Sequence, residues 1–125
     1  MYFPWLGLFE QIRLADMYCH YDDVQLSRGF YNRVQLIRNQ KPHFMSVPIK
    51  KRRQKQMICD SIVSDDSDWI SDHRSNLFES LGSAPYFSQA LSLFNQVHQK
   101  PENFLHQINR KSILEIADYL NLTKN

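Results

Sequence analysis

Helical periodicity in the second half of the chain places the strongest constraint on the fold. Between residues 69 and 120, apolar side chains recur at helical spacing in three stretches. Gly82 is placed to end the first predicted helix, whereas Pro85 and Pro101 suit the first turns of the other two. The acidic segment 64–68 supplies N-cap side chains and favourable negative charge for the first helix. The apolar stripes consist of Trp69, Ile70, His73, Leu77, Phe78 and Leu81; of Phe87, Ala90, Leu91, Phe94 and Val97; and of Leu105, Ile108, Ser112, Ile113, Ile116, Ala117 and Leu120.

The first half of the chain predicts one helix and several short strands. Residues 2–15 show helical spacing, with a proline in the first turn, and the apolar run 17–21 predicts a buried strand. Residues 34–37 and 43–49 predict a β-hairpin around a four-residue turn, and residues 56–63 predict a further strand. The fold class is therefore mixed α/β, with a short sheet and a β-hairpin followed by three helices.

Length, charge and cysteine content narrow the class of protein. A chain of 125 residues suits a single domain, and a net charge of +2 is too small to indicate a nucleic-acid partner. Cys19 and Cys59 each lie in an apolar segment without C-x-x-C spacing, which predicts two buried, reduced thiols. No apolar stretch reaches the ~18 residues of a membrane span, and no signal leader is recognisable. These features predict a cytoplasmic, soluble protein without a transmembrane segment.

Two adjacent carboxylates end the strand predicted over residues 17–21. Ligands of open α/β sheets bind beyond the carboxyl ends of the strands, so Asp22 and Asp23 are the candidate catalytic residues. Either carboxylate suits a general base, a partner for a sugar hydroxyl or a ligand of a divalent ion. Because neighbouring strand residues point to opposite faces, only one of them is expected to enter a site. The alternative is a solvated strand end that caps a turn.

Cationic and amide side chains supply candidates for phosphate contacts. Arg33 offers a planar fork for phosphate or carboxylate, and Asn32 offers both a donor and an acceptor. The alternative for Arg33 is an ion pair with Asp22 or Asp23. The basic run 50–55 suits a diphosphate, an anionic lipid or a nucleic acid, or is a solvated charge run. No aromatic residue interrupts this run, which disfavours single-stranded nucleic acid.

Histidine, glycine and aromatic side chains complete the set of candidates. The five histidines show no tight metal-ligand spacing, so no metal site is predicted. His73 lies on the apolar stripe of its helix, which suits a core histidine as well as a ligand contact. Gly7 indicates a close approach by a neighbouring strand or by a ligand phosphate. Aromatic rings stack on sugars and bases but are also typical of a core, and this applies to Tyr2, Phe3, Trp5, Tyr86 and Phe87.

Short motifs along the chain carry a family resemblance. They are Tyr2-Phe3-Pro4-Trp5-Leu6-Gly7 with Phe9, Ala15-Asp16, Tyr21-Asp22-Asp23-Val24-Gln25, Asn32-Arg33, Val47-Pro48-Ile49-Lys50-Lys51, Asp68-Trp69 with His73, and Ala84-Pro85-Tyr86-Phe87. Together they resemble the signature of the WbqC-like family over nearly the whole chain. Family members usually begin with a further strand and continue well beyond the equivalent of Leu120. This chain is therefore expected to correspond to the N-terminal half of a member, trimmed at both ends.

The resemblance implies a biological setting rather than a reaction. The setting is the biosynthesis of bacterial surface polysaccharide (O-antigen, lipopolysaccharide), and we expect the ligand to be a sugar nucleotide or another phosphorylated small molecule and the partners to be other proteins of that pathway. A weaker resemblance is to nucleotidylyltransferase-like, Rossmannoid enzymes, whose His-x-Gly-His motif is absent here, so that chemistry does not carry over. The ligand-binding candidates are Tyr2, Pro4, Gly7, Gln25, Asn32, Arg33, Lys50, Lys51 and His73.

Two functional hypotheses follow. In the first, the protein binds a sugar nucleotide and is a transferase or acts with one: the acids engage hydroxyls or an ion, and Asn32, Arg33 and Lys50 face the phosphates. In the second, it is a non-catalytic scaffold of the same pathway or an inactive fragment. The residues name no cofactor. The expected organisation is one domain, with a strand-rich half at residues 1–63 and a helical half at 64–122.

Overall fold

The fold is a mixed α/β domain built from one β-hairpin and four helices. The computed structural model describes residues 1–27, 29–51 and 53–123, and these bounds apply throughout. The predicted class, a hairpin followed by three helices, is confirmed. No parallel strand pair occurs within these ranges, so a Rossmann-like sheet is not confirmed. The elements are α1 (Leu6–Leu14), β1 (Arg33–Arg38), β2 (Lys41–Ser46), α2 (Trp69–Leu81), α3 (Phe87–Val97) and α4 (Leu105–Tyr119).

The hairpin turn is tighter than the sequence predicts. Arg38 pairs with Lys41, so only Asn39 and Gln40 remain in the turn. Their φ angles are 50° and 61°, the left-handed backbone of a type I′ turn, which matches the twist of the two strands. Pro42 therefore lies inside β2, where a two-stranded sheet tolerates its missing N–H because both strands are edges. The predicted four-residue turn is wrong.

Two of the predicted strands are also wrong. Residues 17–21 form no strand and lie largely on the surface, with Met17 79% and Tyr21 74% exposed. The run is apolar, but the described structure places no strand beside it to accept its backbone hydrogen bonds. Residues 56–63 make only isolated bridges to three different segments instead of a ladder.

Three groups of buried side chains hold the elements together. The largest joins the N-terminal segment and the loops around Val47 and Ile58 to α2, α3 and α4. The second packs α1 on α4, and the third packs β2 against α2 and α3. Their buried members are Tyr2, Leu26, Val47, Ile58, Trp69, Val97, Leu105 and Ile108; Phe9, Ile113 and Ala117; and Met45, Leu77 and Phe94.

Two surface features bear on the predictions from composition. Cys19 is an exposed free thiol, and Cys59 is a half-buried one, so the predicted burial of Cys19 is wrong. The cause is the surface position of residues 17–21. Within the described ranges, no helix combines the length and the apolar character that a membrane span requires.

Candidate functional site

A chain of hydrogen bonds links three rings at the centre of the domain. Tyr2 Oη lies 2.9 Å from His73 Nδ1 and 3.1 Å from His98 Nε2, and His73 Nε2 lies 3.2 Å from the Ser46 carbonyl oxygen. That carbonyl can only accept, so neutral His73 carries its proton on Nε2 and accepts at Nδ1 from Tyr2. Tyr2 has one proton to donate, so the bond to His98 is donated by His98 Nε2. His98 is left with a lone pair on Nδ1.

The two histidines linked by these hydrogen bonds, His73 and His98, are neutral at physiological pH. Burial is the largest cause that lowers the pKa of His73 from 6.5 to about 4, and it lowers the pKa of His98 to about 4 as well. His73, Arg74 and Lys111 add to the lowering at His98. Burial also raises the pKa of Tyr2, so the three rings together carry no charge.

Aromatic neighbours fix the position of the His98 ring. His98 follows α3 directly, and its backbone N–H donates to the Phe94 carbonyl over 3.2 Å. The ring centroid lies 4.6 Å from that of Phe94 and 5.2 Å from that of Trp69, which meets it edge-on. These contacts leave the ring little freedom to turn away from Tyr2.

A cleft of about 540 Å³ opens beside His98, and we call it the histidine cleft. Trp69 and Phe104 contribute aromatic surface to it. Lys50 and Lys100 contribute positive charge, and Asp65 and Glu102 contribute negative charge. Lys50 Nζ lies 3.0 Å from Asp65 Oδ1, and Glu102 forms an ion pair with Lys111. The lining therefore combines aromatic walls with charges of both signs.

A second, larger cleft adjoins Lys50, and we call it the basic cleft. Its volume is about 990 Å³, and Lys50, Lys51, Arg53 and Lys55 line it together with one carboxylate, Asp60. The basic run of the sequence is thus gathered around one concave surface. Arg52, in the middle of the run, lies outside the described residues.

Asp22 lies in a different, smaller cleft of about 220 Å³. Its carboxylate accepts a hydrogen bond from Arg110 Nε over 2.8 Å. Arg110 is therefore the ion-pair partner of Asp22, and the described residues do not form the ion pair that was the alternative for Arg33. Asp23 is exposed and makes no hydrogen bond or ion pair within the described ranges. The same ranges contain no group of three His, Cys, Asp or Glu side chains that could hold a metal ion.

Asn32 and Arg33 make contacts that stabilise the loop before the hairpin. The Asn32 side-chain amide donates to the Val47 carbonyl over 3.1 Å, and the Val47 N–H donates to the Asn32 carbonyl over 2.7 Å. Arg33 Nε donates to the Gly29 carbonyl over 3.0 Å. The Arg33 guanidinium also lies 4.3 Å from the Phe44 ring centroid, a cation–π distance.

The remaining predicted ligand residues, Pro4, Gly7 and Gln25, line neither the histidine cleft nor the basic cleft. A Cβ on Gly7 would lie 2.1 Å from ring atoms of Trp5, so the close approach comes from that indole and not from a strand or a phosphate. Pro4 precedes α1, which begins at Leu6. Gln25 is exposed and forms an isolated bridge with Met57.

The structure brings only part of the predicted site together. Tyr2 and His73 reach the histidine cleft through His98, and Lys50 lines that cleft directly. Lys51 lines the adjoining basic cleft, whereas the other candidates lie elsewhere. Sequence reasoning missed His98, although a signal was present: His98 stands four residues after Phe94 and continues the apolar stripe of α3.

These features define a small mixed α/β domain with a polar, aromatic-walled cleft beside a basic one. The model of the WbqC-like protein family matches residues 1–125, and the chain belongs to that family. An uncharacterized protein of Mycobacterium tuberculosis is 27% identical in an alignment that covers 98% of this chain and 54% of that protein. The chain thus spans about half the length of the curated relative it matches. No solved structure is significantly similar to it.

Proposed function

We propose that this protein binds a sugar nucleotide in the biosynthesis of bacterial surface polysaccharide, as a transferase or together with one. The observation that carries the proposal is the position of Lys50, which lines the histidine cleft and the basic cleft at once. A sugar nucleotide has an anionic diphosphate flanked by ring systems with hydroxyl groups. A cationic surface that adjoins an aromatic, polar cleft matches both parts of such a ligand.

The basic cleft suits the diphosphate. Four cationic side chains, those of Lys50, Lys51, Arg53 and Lys55, surround it. The Lys50–Asp65 ion pair is solvent-exposed on both sides, so it contributes little to stability. A phosphate that replaced Asp65 as the partner of Lys50 would therefore cost the fold little.

The histidine cleft suits the sugar or the base. The half-buried Phe104 offers apolar surface for stacking, while His98 and the charged rim offer hydrogen-bonding groups. The chain belongs to the WbqC-like family, and the pathway is the setting that the resemblance to this family implies. The catalytic role of Asp22 and Asp23 and the phosphate contacts of Asn32 and Arg33 stay predictions.

A second candidate function is a non-catalytic interaction protein of the same pathway. Large apolar side chains are exposed just before α1, on α1 and on the segment that follows it, which is typical of surfaces that contact another protein. They are Trp5, Leu6, Leu14, Met17 and Tyr21.

A thermal-shift screen with nucleotide-linked sugars tests the first candidate. A ligand that binds the folded state stabilises it by RT ln(1 + [L]/Kd), about 2.7 kcal/mol at a hundredfold excess over Kd, and raises Tm accordingly. We expect Lys50→Ala to weaken binding about tenfold, since a charge-assisted contact to phosphate is lost. Lys41→Ala, at an exposed lysine of the hairpin, is the matched control and should leave binding unchanged. No shift with any nucleotide sugar, or an equal loss in both variants, would contradict the proposal.

A further inference from the structure

The second ring nitrogen of His98 is open to a ligand. His98 Nε2 is bonded to Tyr2, whereas Nδ1 makes no hydrogen bond within the described ranges. His98 Nδ1 is not among the fully buried side-chain atoms that lack a hydrogen-bond partner. In the described ranges these are Ser80 Oγ, His106 Nδ1 and Asn109 Oδ1. Nδ1 is therefore not fully buried, and His98 is one of the residues that line the histidine cleft.

The protonation of this nitrogen follows from the hydrogen-bond chain behind it. An isolated neutral histidine carries its proton on either nitrogen and can therefore donate or accept at each. The Ser46 carbonyl places the proton of His73 on Nε2, so His73 Nδ1 accepts the proton that Tyr2 donates. Tyr2 can then only accept from His98, which places the proton of His98 on Nε2. The Nδ1 atom of His98 is left as a hydrogen-bond acceptor.

The charged surroundings keep it an acceptor. Arg74 and Lys111 lie near the ring and disfavour a second proton on it, as does burial. Lys50 and Lys100 add positive charge at the cleft, and the carboxylates of Asp65 and Glu102 already have lysine partners in Lys50 and Lys111. An imidazolium that could donate from Nδ1 is therefore disfavoured.

We propose that His98 Nδ1 accepts a hydrogen bond from a ligand hydroxyl or N–H in the histidine cleft, and that Tyr2 and His73 are positioning residues that fix its tautomer. The inference rests on the function proposed above for the identity of the ligand, in which the donor is a sugar hydroxyl. His98 is then a specificity residue: it favours ligands that carry a donor at that place and disfavours those that carry an acceptor, such as a ketone oxygen.

The tautomer is measured on the ligand-free protein by long-range ¹H–¹⁵N correlation spectra of the histidine rings. We expect one tautomer for His98, protonated at Nε2, and a mixture of tautomers in Tyr2→Phe, which keeps the ring and removes only the hydroxyl. His20, in the surface segment, is the internal control and should be unchanged by Tyr2→Phe. An Nδ1–H tautomer of His98 in the parent protein, or an unchanged His98 spectrum in Tyr2→Phe, would overturn the positioning role.

Ligand selectivity is measured by calorimetric titration with a sugar nucleotide identified by the thermal-shift screen and with its deoxy analogues. We expect one deoxy analogue to bind the parent protein three- to tenfold more weakly, and His98→Ala to abolish that difference. His98→Asn, whose side-chain oxygen can take the place of Nδ1, should retain more of the difference than His98→Gln.

The two proposals fail in different ways. If no sugar nucleotide binds the parent protein, the proposed function and the proposed sugar ligand of His98 are both wrong. The tautomer measurement still decides whether Tyr2 and His73 position His98. If a sugar nucleotide binds but His98→Ala leaves every analogue ratio unchanged, the acceptor role of His98 is wrong and the proposed function stands.

Discussion

Two regions of this domain contain tyrosine and histidine close together, and they differ in what surrounds them. Tyr2, 1% exposed, is bonded to two histidines from different parts of the chain. In the segment 17–23, Tyr18 meets His20 edge-on at 5.0 Å, but Tyr21 is 74% exposed. The side chains are of the same types in both regions. Their chemistry becomes defined only where several elements converge and remove water, because burial sets the tautomers and the pKa values.

The sharpest test of this comparison exchanges one tyrosine in each region for alanine. Tyr2→Ala should lower the free energy of unfolding by roughly 3–5 kcal/mol, since a buried aromatic ring is lost and two buried histidines lose a partner. Tyr21→Ala should change it by less than about 0.5 kcal/mol. Urea denaturation followed by circular dichroism measures both. Equal losses in the two variants would show that the regions do not differ as described.

The pH dependence of stability separates the histidines of the two regions. Unfolded histidines take up a proton near pH 6.5, whereas His73 and His98 do so in the folded state only near pH 4. Between these values the unfolded state binds more protons, so stability falls as the pH falls through this window and levels off below about pH 4. We expect the free energy of unfolding to fall by on the order of 2 kcal/mol per histidine. This value is below the one that the pKa difference alone implies, because solvent screens the partly exposed His98.

Two variants show which histidines cause this pH dependence of stability. His73→Phe removes one titrating group and should reduce the difference in stability between pH 7 and pH 4.5. His20→Gln should leave most of it intact. If His20→Gln flattens the profile and His73→Phe does not, the histidines that control stability lie in the surface segment.

Asn32 tests whether a predicted ligand residue is structural. Asn32→Ala removes the side-chain bond to the Val47 carbonyl, and we expect a loss of about 1 kcal/mol in the free energy of unfolding. Affinity for a sugar nucleotide should not change once the protein is folded. A tenfold loss of affinity with unchanged stability would restore Asn32 to the ligand site.

The smallest expected effect on stability is that of replacing Asp22. Its ion pair with Arg110 is only partly buried, so Asp22→Asn should cost on the order of 0.5 kcal/mol in stability. Arg110→Gln should cost about the same, and the double variant should cost no more than either single one if the pair is the whole cause. Additive losses would point to separate roles for the two side chains.

The sequence predicted the helical half of the fold well and the site only in part. The stripes of α2, α3 and α4 are long enough for periodicity to identify them, and the hairpin has two clear arms. The run 17–21 is apolar, but a strand also needs a partner, and pairing is a tertiary property that a short run does not reveal. Lys50 and His73 were singled out as ligand-binding candidates through the motifs of the family resemblance. The hydrogen-bond link through His98 was not predicted, because its members are far apart in the sequence. His73 follows Tyr2 by 71 positions, and His98 follows it by 96.

The central claim of the proposal is that ligand recognition takes place at the histidine and basic clefts, and the acid-ended segment chosen from the sequence is the competing location. Titration of a ¹⁵N-labelled sample with a sugar nucleotide, followed by amide chemical shifts, locates the site directly. We predict that the largest changes cluster at residues 50, 51, 64–69 and 98–104, and that residues 18–24 change little. Changes centred on residues 18–24 and on Asn109 and Arg110 of α4 would contradict the account and place the ligand beside Asp22.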